Sequence, residues 1–254
     1  MARLALISDI HGNAVALEAV LRDIEGQRID DVFVLGDLVN RGADPAQCLA
    51  LVRGLPTVGG NGDDYVVQGA EENAQGAPDN WHVTPLPSWP SDEALRLERR
   101  WAAAHLGVDD VDYLRDLPTV LQHPIGHDQL LLMCHASPTD RKAMVLSHSP
   151  TDLLYHTFFV PFPGVRVAAY GHTHIPFVRF LKGNVVINTG AVGTPTDGAP
   201  TTSYAVLEVD GSDLDVSMRR VAYDVERACK RLRQVDYPYA AFMEEWLRAG
   251  APPS

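Results

Sequence analysis

Five short apolar runs in this 254-residue chain stop at side chains that carry oxygen or nitrogen lone pairs, and a fold for this chain has to accommodate all five endings. RLALIS runs into Asp9-Ile10-His11, DVFVL into Gly36-Asp37, PTV into Gly60-Asn61, LLLMC into His135, and VRVAAY into Gly171-His172-Thr173-His174. From Asn13 to Ile24, Val15, Leu17, Val20, Leu21 and Ile24 recur at helical spacing, and Pro45 opens a second helix that reaches about Arg53. Strands that alternate with helices predict an α/β sheet with covered faces. In an open sheet of that kind the carboxyl ends of the strands border one crevice, so the five endings are expected to meet.

The middle of the chain behaves differently. Residues 73–91 hold Pro78, Pro85, Pro87 and Pro90 among polar residues and predict a long loop; 92–105 starts acidic and continues in helix formers, and Val108 to Leu117 predicts a short helix. Together, about 73–117 reads as a loop and helical insertion within a single domain spanning 1–254. Thr151 to Phe159 predicts a helical turn. Pro176–Leu181, Val185–Asn188, Tyr204–Val209 and Leu214–Val221 are β-rich, with turns at Lys182-Gly183 and Asp210-Gly211, and read as a meander. Asp224 to Leu247 predicts a helix broken near Tyr237-Pro238 and ended by Gly250.

Composition narrows the class of function. With 46% hydrophobic and 21% charged residues the chain is of ordinary globular type, and its net charge of −12 supplies no sequence-wide positive field for nucleic acid or anionic lipid. No general nucleic-acid binding is expected. The first apolar run meets Asp9 at once and reads as a buried strand, not a signal peptide, and no stretch approaches a membrane span. Cys48, Cys134 and Cys229 lie far apart without a CxxC pair, which argues against a disulfide framework and for a cytoplasmic location. Cys48 and Cys229 fall on predicted helices as packing residues, and Cys134 should point to the opposite side of its strand from His135.

The endings carry two carboxylates (Asp9, Asp37), four imidazoles (His11, His135, His172, His174) and one amide (Asn61). Without a thiolate, this set suits Mn²⁺, Fe, Zn²⁺ or Ni²⁺. It is more than one ion needs. Two ions roughly 3.5–4 Å apart and bridged by one carboxylate would use every donor, an arrangement suited to in-line attack at phosphorus. Asp37 is the expected bridge. Each residue also has a plainer use: an Asp after a strand caps a turn or helix, Gly12-Asn13 can be a capping loop, and His172 to His174 can be a polar turn. The weight lies in the repetition.

SDIHGN, GDLVNRG, GNGDD, HASP and GHTHIP resemble, in order, the five blocks of the calcineurin-like metallophosphoesterases across residues 8–176, and INTGAVGTPTDG at 187–198 is similar to the segment that follows in bacterial members. The resemblance implies a four-layer α-β-β-α sandwich of two mixed sheets. It implies that Asp9, His11, Asp37 and His174 hold one divalent ion and that Asp37, Asn61, His135 and His172 hold the other, manganese being the first expectation. It further implies hydrolysis of a phosphate ester by a metal-bound hydroxide, with Asp37, Asn61, His135 and Arg41 as the catalytic set and a small-molecule phosphate ester as the partner.

One departure stands out: the family's usual GNH block reads Gly60-Asn61-Gly62. The missing imidazole leaves a general-acid contribution of roughly 10²–10⁴-fold to come from elsewhere. Small bacterial and archaeal relatives that lack this histidine look like phosphodiesterases, so a phosphodiester, with nucleotide-like esters included, is the first substrate class. Arg41 is similar in position to the substrate-binding arginine of the phosphoprotein phosphatases, which makes a phosphomonoesterase or protein phosphatase the alternative; a salt bridge to Asp44 is its plainer use. A dinucleoside polyphosphate hydrolase is third. A metal-binding scaffold of the same fold, as in the retromer subunit, is the non-catalytic reading. Asp63 and Asp64 would orient ligands, repel a second anion or cap a helix, and His82, His148 and His156 are candidates for the lost acid. Trp81, Trp89, Trp101, Tyr155, Phe158 and Phe159 would wall the site or, as the commoner use, fill the core.

Overall fold

In this computed structural model, residues 2–29, 31–76, 91–126 and 128–253 are described. The proline-rich segment 77–90, with Trp81, His82 and Trp89, lies outside them. In chain order the elements are β1 (Ala2–Ile7), α1 (Ala14–Gly26), β2 (Asp31–Leu35), α2 (Pro45–Val52), β3 (Thr57–Val58), α3 (Asn61–Ala74), α4 (Asp92–Ala104), α5 (Val108–Asp116), β4 (Val120–Gly126), β5 (Gln129–Cys134), α6 (Thr151–Phe158), β6 (Val165–Tyr170), β7 (Phe177–Leu181), β8 (Asn184–Asn188), β9 (Thr202–Asp210), β10 (Asp213–Val221), α7 (Val225–Gln234) and α8 (Ala240–Ala249).

The strands form two five-stranded sheets, ordered β10-β9-β1-β2-β3 and β4-β5-β6-β8-β7. In the first, β1, β2 and β3 run parallel while β9 and β10 are antiparallel additions. In the second, β5, β6 and β8 run parallel, flanked by antiparallel β4 and β7. Both sheets are therefore mixed. The late strands are not one meander: β7 and β8 join the second sheet as a hairpin, whereas β9 and β10 return to the first. Hydropathy period marks a strand but carries no information about which sheet it enters.

Strand alternation explains the layers. Leu4, Leu6, Phe33 and Leu35 face Leu131, Met133, Val167, Ala169 and Ile187 in the core between the sheets. The opposite face of the first sheet, with Ala5, Ile7, Val32 and Val34, packs against α1, α2, α4, α7 and α8. The opposite face of the second, with Leu132, Cys134, Ala168 and Tyr170, packs against α6. Helix, sheet, sheet, helix: the four-layer sandwich holds. Cys134 sits on the α6 side, away from His135, as strand alternation requires.

A helix with little sequence signal, α3, precedes the expected insertion. α3 begins at Asn61 itself and packs along α4, with Gly69 allowing backbone contact because a Cβ there would strike Arg99 and Arg100 backbone atoms. Trp101 is buried and stacks on His105, while Tyr155, Phe158 and Phe159 belong to the α6 layer; all four serve packing. Among the described residues, no helix is long and apolar enough to cross a membrane.

Candidate metal centre

The carboxyl ends of β1, β2, β3, β5 and β6 deliver their donors to one buried place. The connections after β1 and β2 are zipped together by Asp9 N–H to Gly36 O at 3.0 Å, His11 N–H to Asp37 O at 2.9 Å and Gly12 N–H to Leu38 O at 3.0 Å. Asp9, His11, Asp37, His172 and His174 all have positive φ, between 50° and 66°. For residues with a Cβ this left-handed geometry costs roughly 1–2 kcal/mol each. Such strain, gathered at the strand ends, turns successive side chains inward and marks a functional locus.

Donor atoms converge in two groups. On one side, His11 Nε2 lies 3.1 Å from His174 Nε2, and His174 Nε2 lies 3.2 Å from Asp9 Oδ1. On the other, His135 Nε2 lies 3.0 Å from Asn61 Oδ1, and the same amide position is 2.8 Å from His172 Nδ1. Asp37 stands between them, with Oδ2 3.5 Å from His11 Nε2 and Oδ1 3.4 Å from His135 Nε2. All seven sequence-derived donors are thus brought together, His172 being the more accessible member.

Three observations fit divalent cations to these residues. Asp9 Oδ1 is buried and has no hydrogen-bond donor. Hydrogen bonding alone would turn the Asn61 amide over, whereas a cation shared with His135 and His172 would keep its oxygen inward. His135 Nδ1 and His174 Nδ1 face the Leu35 and Thr194 carbonyls at 2.8 and 2.5 Å, which assigns the proton to Nδ1 and leaves Nε2 as a ligand.

Electrostatics point the same way. Burial pushes the Asp9 carboxyl up, but His174 and His135 outweigh it and bring its pKa down to about 2. Burial likewise opposes ionisation of Asp37, and His135, His11 and Arg41 together hold it well below the carboxylate range. Burial disfavours a charged His135, yet Asp37 draws a proton onto it and raises its pKa to about 9. His11 is pushed down by burial first and by Arg41 next. The buried carboxylates call for positive charge at their centre.

The surroundings hold this arrangement. Asp63 is fully buried and accepts four backbone N–H bonds, from Gly60, Asp37, Leu38 and Val39, so it both caps α3 and fixes the loop that carries Asp37. Burial and the Asp37 charge raise its pKa to about 7. Asp64 pairs with Arg141 at 2.5 Å and does not confront the centre as a bare charge. Gly62 N–H donates to Asp37 Oδ1 at 2.6 Å. The space at Gly62 is not open: a Cβ would meet Asp37 Oδ1 at 3.0 Å and Asn40 Nδ2 at 3.3 Å.

Arg41 borders a cleft of about 370 Å³ beside the centre, shared with Asn40, Asn61, Tyr65, Leu95 and Glu98. Its guanidinium lies 5.6 Å from the centre of the Trp246 ring. Asp44, the salt-bridge partner considered for it, is bound by Arg231 at 2.5 Å. His148 and His156 are exposed, His156 edge-on to Tyr155 of α6. Sequence reasoning missed Glu98, Tyr237 and Trp246 around Arg41, although a glutamate in the buried stripe Ala94, Glu98, Trp101, Ala102 was a visible signal.

Comparison with known proteins agrees with this geometry. A family model described as the calcineurin-like phosphoesterase superfamily domain matches residues 2–212. An uncharacterised protein of Methanocaldococcus jannaschii is 29% identical over 260 residues, covering 96% of this chain and 95% of its own. The crystal structure of a metallophosphoesterase from Sphaerobacter thermophilus superposes with a TM-score of 0.73 at 28% identity, covering 98% of this chain and 99% of its own. A hypothetical protein from Pyrococcus horikoshii shares the fold at a TM-score of 0.78 and 20% identity, covering 100% and 99%.

Proposed function

This chain belongs to the calcineurin-like phosphoesterase superfamily, and from that premise we propose that it hydrolyses a small phosphodiester at a centre of two divalent ions. The observation that carries the reading is the split of Asp37, whose two carboxylate oxygens face different imidazoles, His11 at 3.5 Å and His135 at 3.4 Å. Asp9, His11, Asp37 and His174 would hold one ion; Asp37, Asn61, His135 and His172 would hold the other. Manganese is the first expectation, with iron, zinc and nickel also suited to these donors. When bound, such ions supply Lewis acidity, offsetting phosphoryl charge and making water acidic.

The chain's own residues do the rest. The Arg41 guanidinium fork binds phosphoryl oxygens and orients the ester. Asp63 and the Gly62 N–H hold the Asp37 carboxylate in one orientation, so its charge needs no reorganisation during reaction. Asp92 and Glu98 share the cleft wall with Arg41 and Arg99, so its charge does not separate a diester from a dianionic monoester, and the diester reading rests on the missing imidazole at Gly62. The Arg41 position keeps a phosphomonoesterase or protein phosphatase as the second reading. Retention of all seven donors supports catalysis over a scaffold role.

The test is a hydrolysis screen of p-nitrophenyl mono- and diesters with manganese, iron, zinc and nickel. Diester turnover above monoester turnover is expected. Monoester preference would favour the second reading, and no turnover with any metal would favour the scaffold.

A further inference from the structure

Glu98 is a carboxylate in a place where α4 has no need of one. The buried stripe of that helix is otherwise Ala94, Trp101, Ala102 and Ala103, and Glu98 is only 1% exposed. Burying an ionisable group costs several kcal/mol unless it is well bonded. Its bonds account for its presence. Glu98 Oε1 accepts the backbone N–H of Arg41 and the hydroxyl of Tyr237 at 2.8 Å. Three separate parts of the chain meet there: the helical insertion, the Arg41 loop and the segment between α7 and α8.

The Arg41 loop needs such a hold. Asn40 and Arg41 are successive residues with positive φ, 81° and 63°, a backbone conformation that Asn tolerates but that a long side chain such as that of Arg41 disfavours. Gly42, next in line, is pressed so closely on the His11 and Gly12 backbone that a Cβ there would collide with both. The backbone of this loop is thus fixed on one side by the centre and on the other by Glu98, while the guanidinium lies over Trp246, whose indole N–H donates to Pro195 O at 2.6 Å.

We propose that Glu98 is a positioning residue for Arg41: by binding the Arg41 N–H it holds the left-handed turn from which the guanidinium reaches a phosphate group in the cleft. This rests on the reading of the protein as a phosphoesterase that grips its ester through Arg41. The helical insertion then takes part in substrate binding through a single buried carboxylate, without contact between Glu98 and the reacting atoms.

The experiment is a double-substitution cycle of Glu98→Leu and Arg41→Ala in metal-loaded protein, with two readouts: KM and kcat for a p-nitrophenyl phosphodiester, and the dissociation constant for inorganic phosphate by calorimetry. Glu98→Leu is expected to raise KM and the phosphate dissociation constant roughly tenfold, with kcat changed less, and to add nothing in the Arg41→Ala background. Glu98→Gln, which keeps an acceptor, should recover most of the loss. Equal effects of Glu98→Leu with and without Arg41 would overturn the proposal and make Glu98 a structural residue. If Glu98→Leu does not fold, Glu98→Asp carries the test, since its shorter side chain withdraws from the Arg41 N–H; unchanged phosphate binding in that variant overturns the proposal too. Absence of diester turnover with the phosphate cycle behaving as expected would sink the hydrolase reading and leave the Glu98 assignment standing.

Discussion

Arg41 and Gly62 are the two residues on which the proposed ester specificity turns. In that reading Arg41 grips the substrate before and during reaction and so contributes uniform binding. Arg41→Ala is expected to raise KM for a diester more than it lowers kcat, a split read directly from steady-state kinetics; unchanged kinetics would remove Arg41 from the substrate site. At Gly62 the position of a side chain is taken by Asp37 and Asn40, so no proton donor to a leaving oxygen stands there. An aryl oxide leaves with little help, whereas an alkoxide does not. Across a series of aryl and alkyl diesters, kcat/KM should therefore fall steeply as leaving-group pKa rises. A flat series would mean that another residue supplies the proton.

At the level of elements, packing of α1 on the first sheet depends on Asp23. Its carboxylate accepts from the Tyr204 hydroxyl at 2.6 Å and Gln27 Nε2 at 2.8 Å, and lies 3.3 Å from Arg219 Nη2. Burial alone would raise the Asp23 pKa, but the bonds from Tyr204 and Arg219 outweigh it and lower it. A carboxyl depressed in the folded state stabilises above its unfolded pKa, about 3.9, and that contribution is lost as pH falls through the folded value. Thermal melts of the native protein and Asp23→Asn should thus separate above about pH 5 and converge as pH falls through the lowered folded pKa. Parallel curves across that range would contradict the assignment. Elements were also where sequence was least informative. α3 carries Gly62, Gly69 and acidic residues that hide its helical face, and β4 contains Pro124 and His123 on an edge strand where neither breaks a needed ladder.

At the level of the molecule, the seven donors were readable in advance because each follows a short apolar run, and parallel strands put such endings at one edge. What surrounds them was readable only in part. The sequence offers Asp63 as a helix cap or ligand-orienting residue, as its bond from Gly60 N–H bears out, but not its three further backbone N–H partners from the Asp37 loop, nor Glu98, whose partners lie 57 and 139 residues away in sequence. The division of the late strands between two sheets also depends on long-range register. The central claim is that Asp37 joins two metal positions. Elemental analysis of purified, metal-loaded Asp37→Ala, with its fold checked by circular dichroism, tests it most directly. The native protein should carry close to two transition-metal ions per chain and the variant close to none; a folded variant with full occupancy would contradict the bridge.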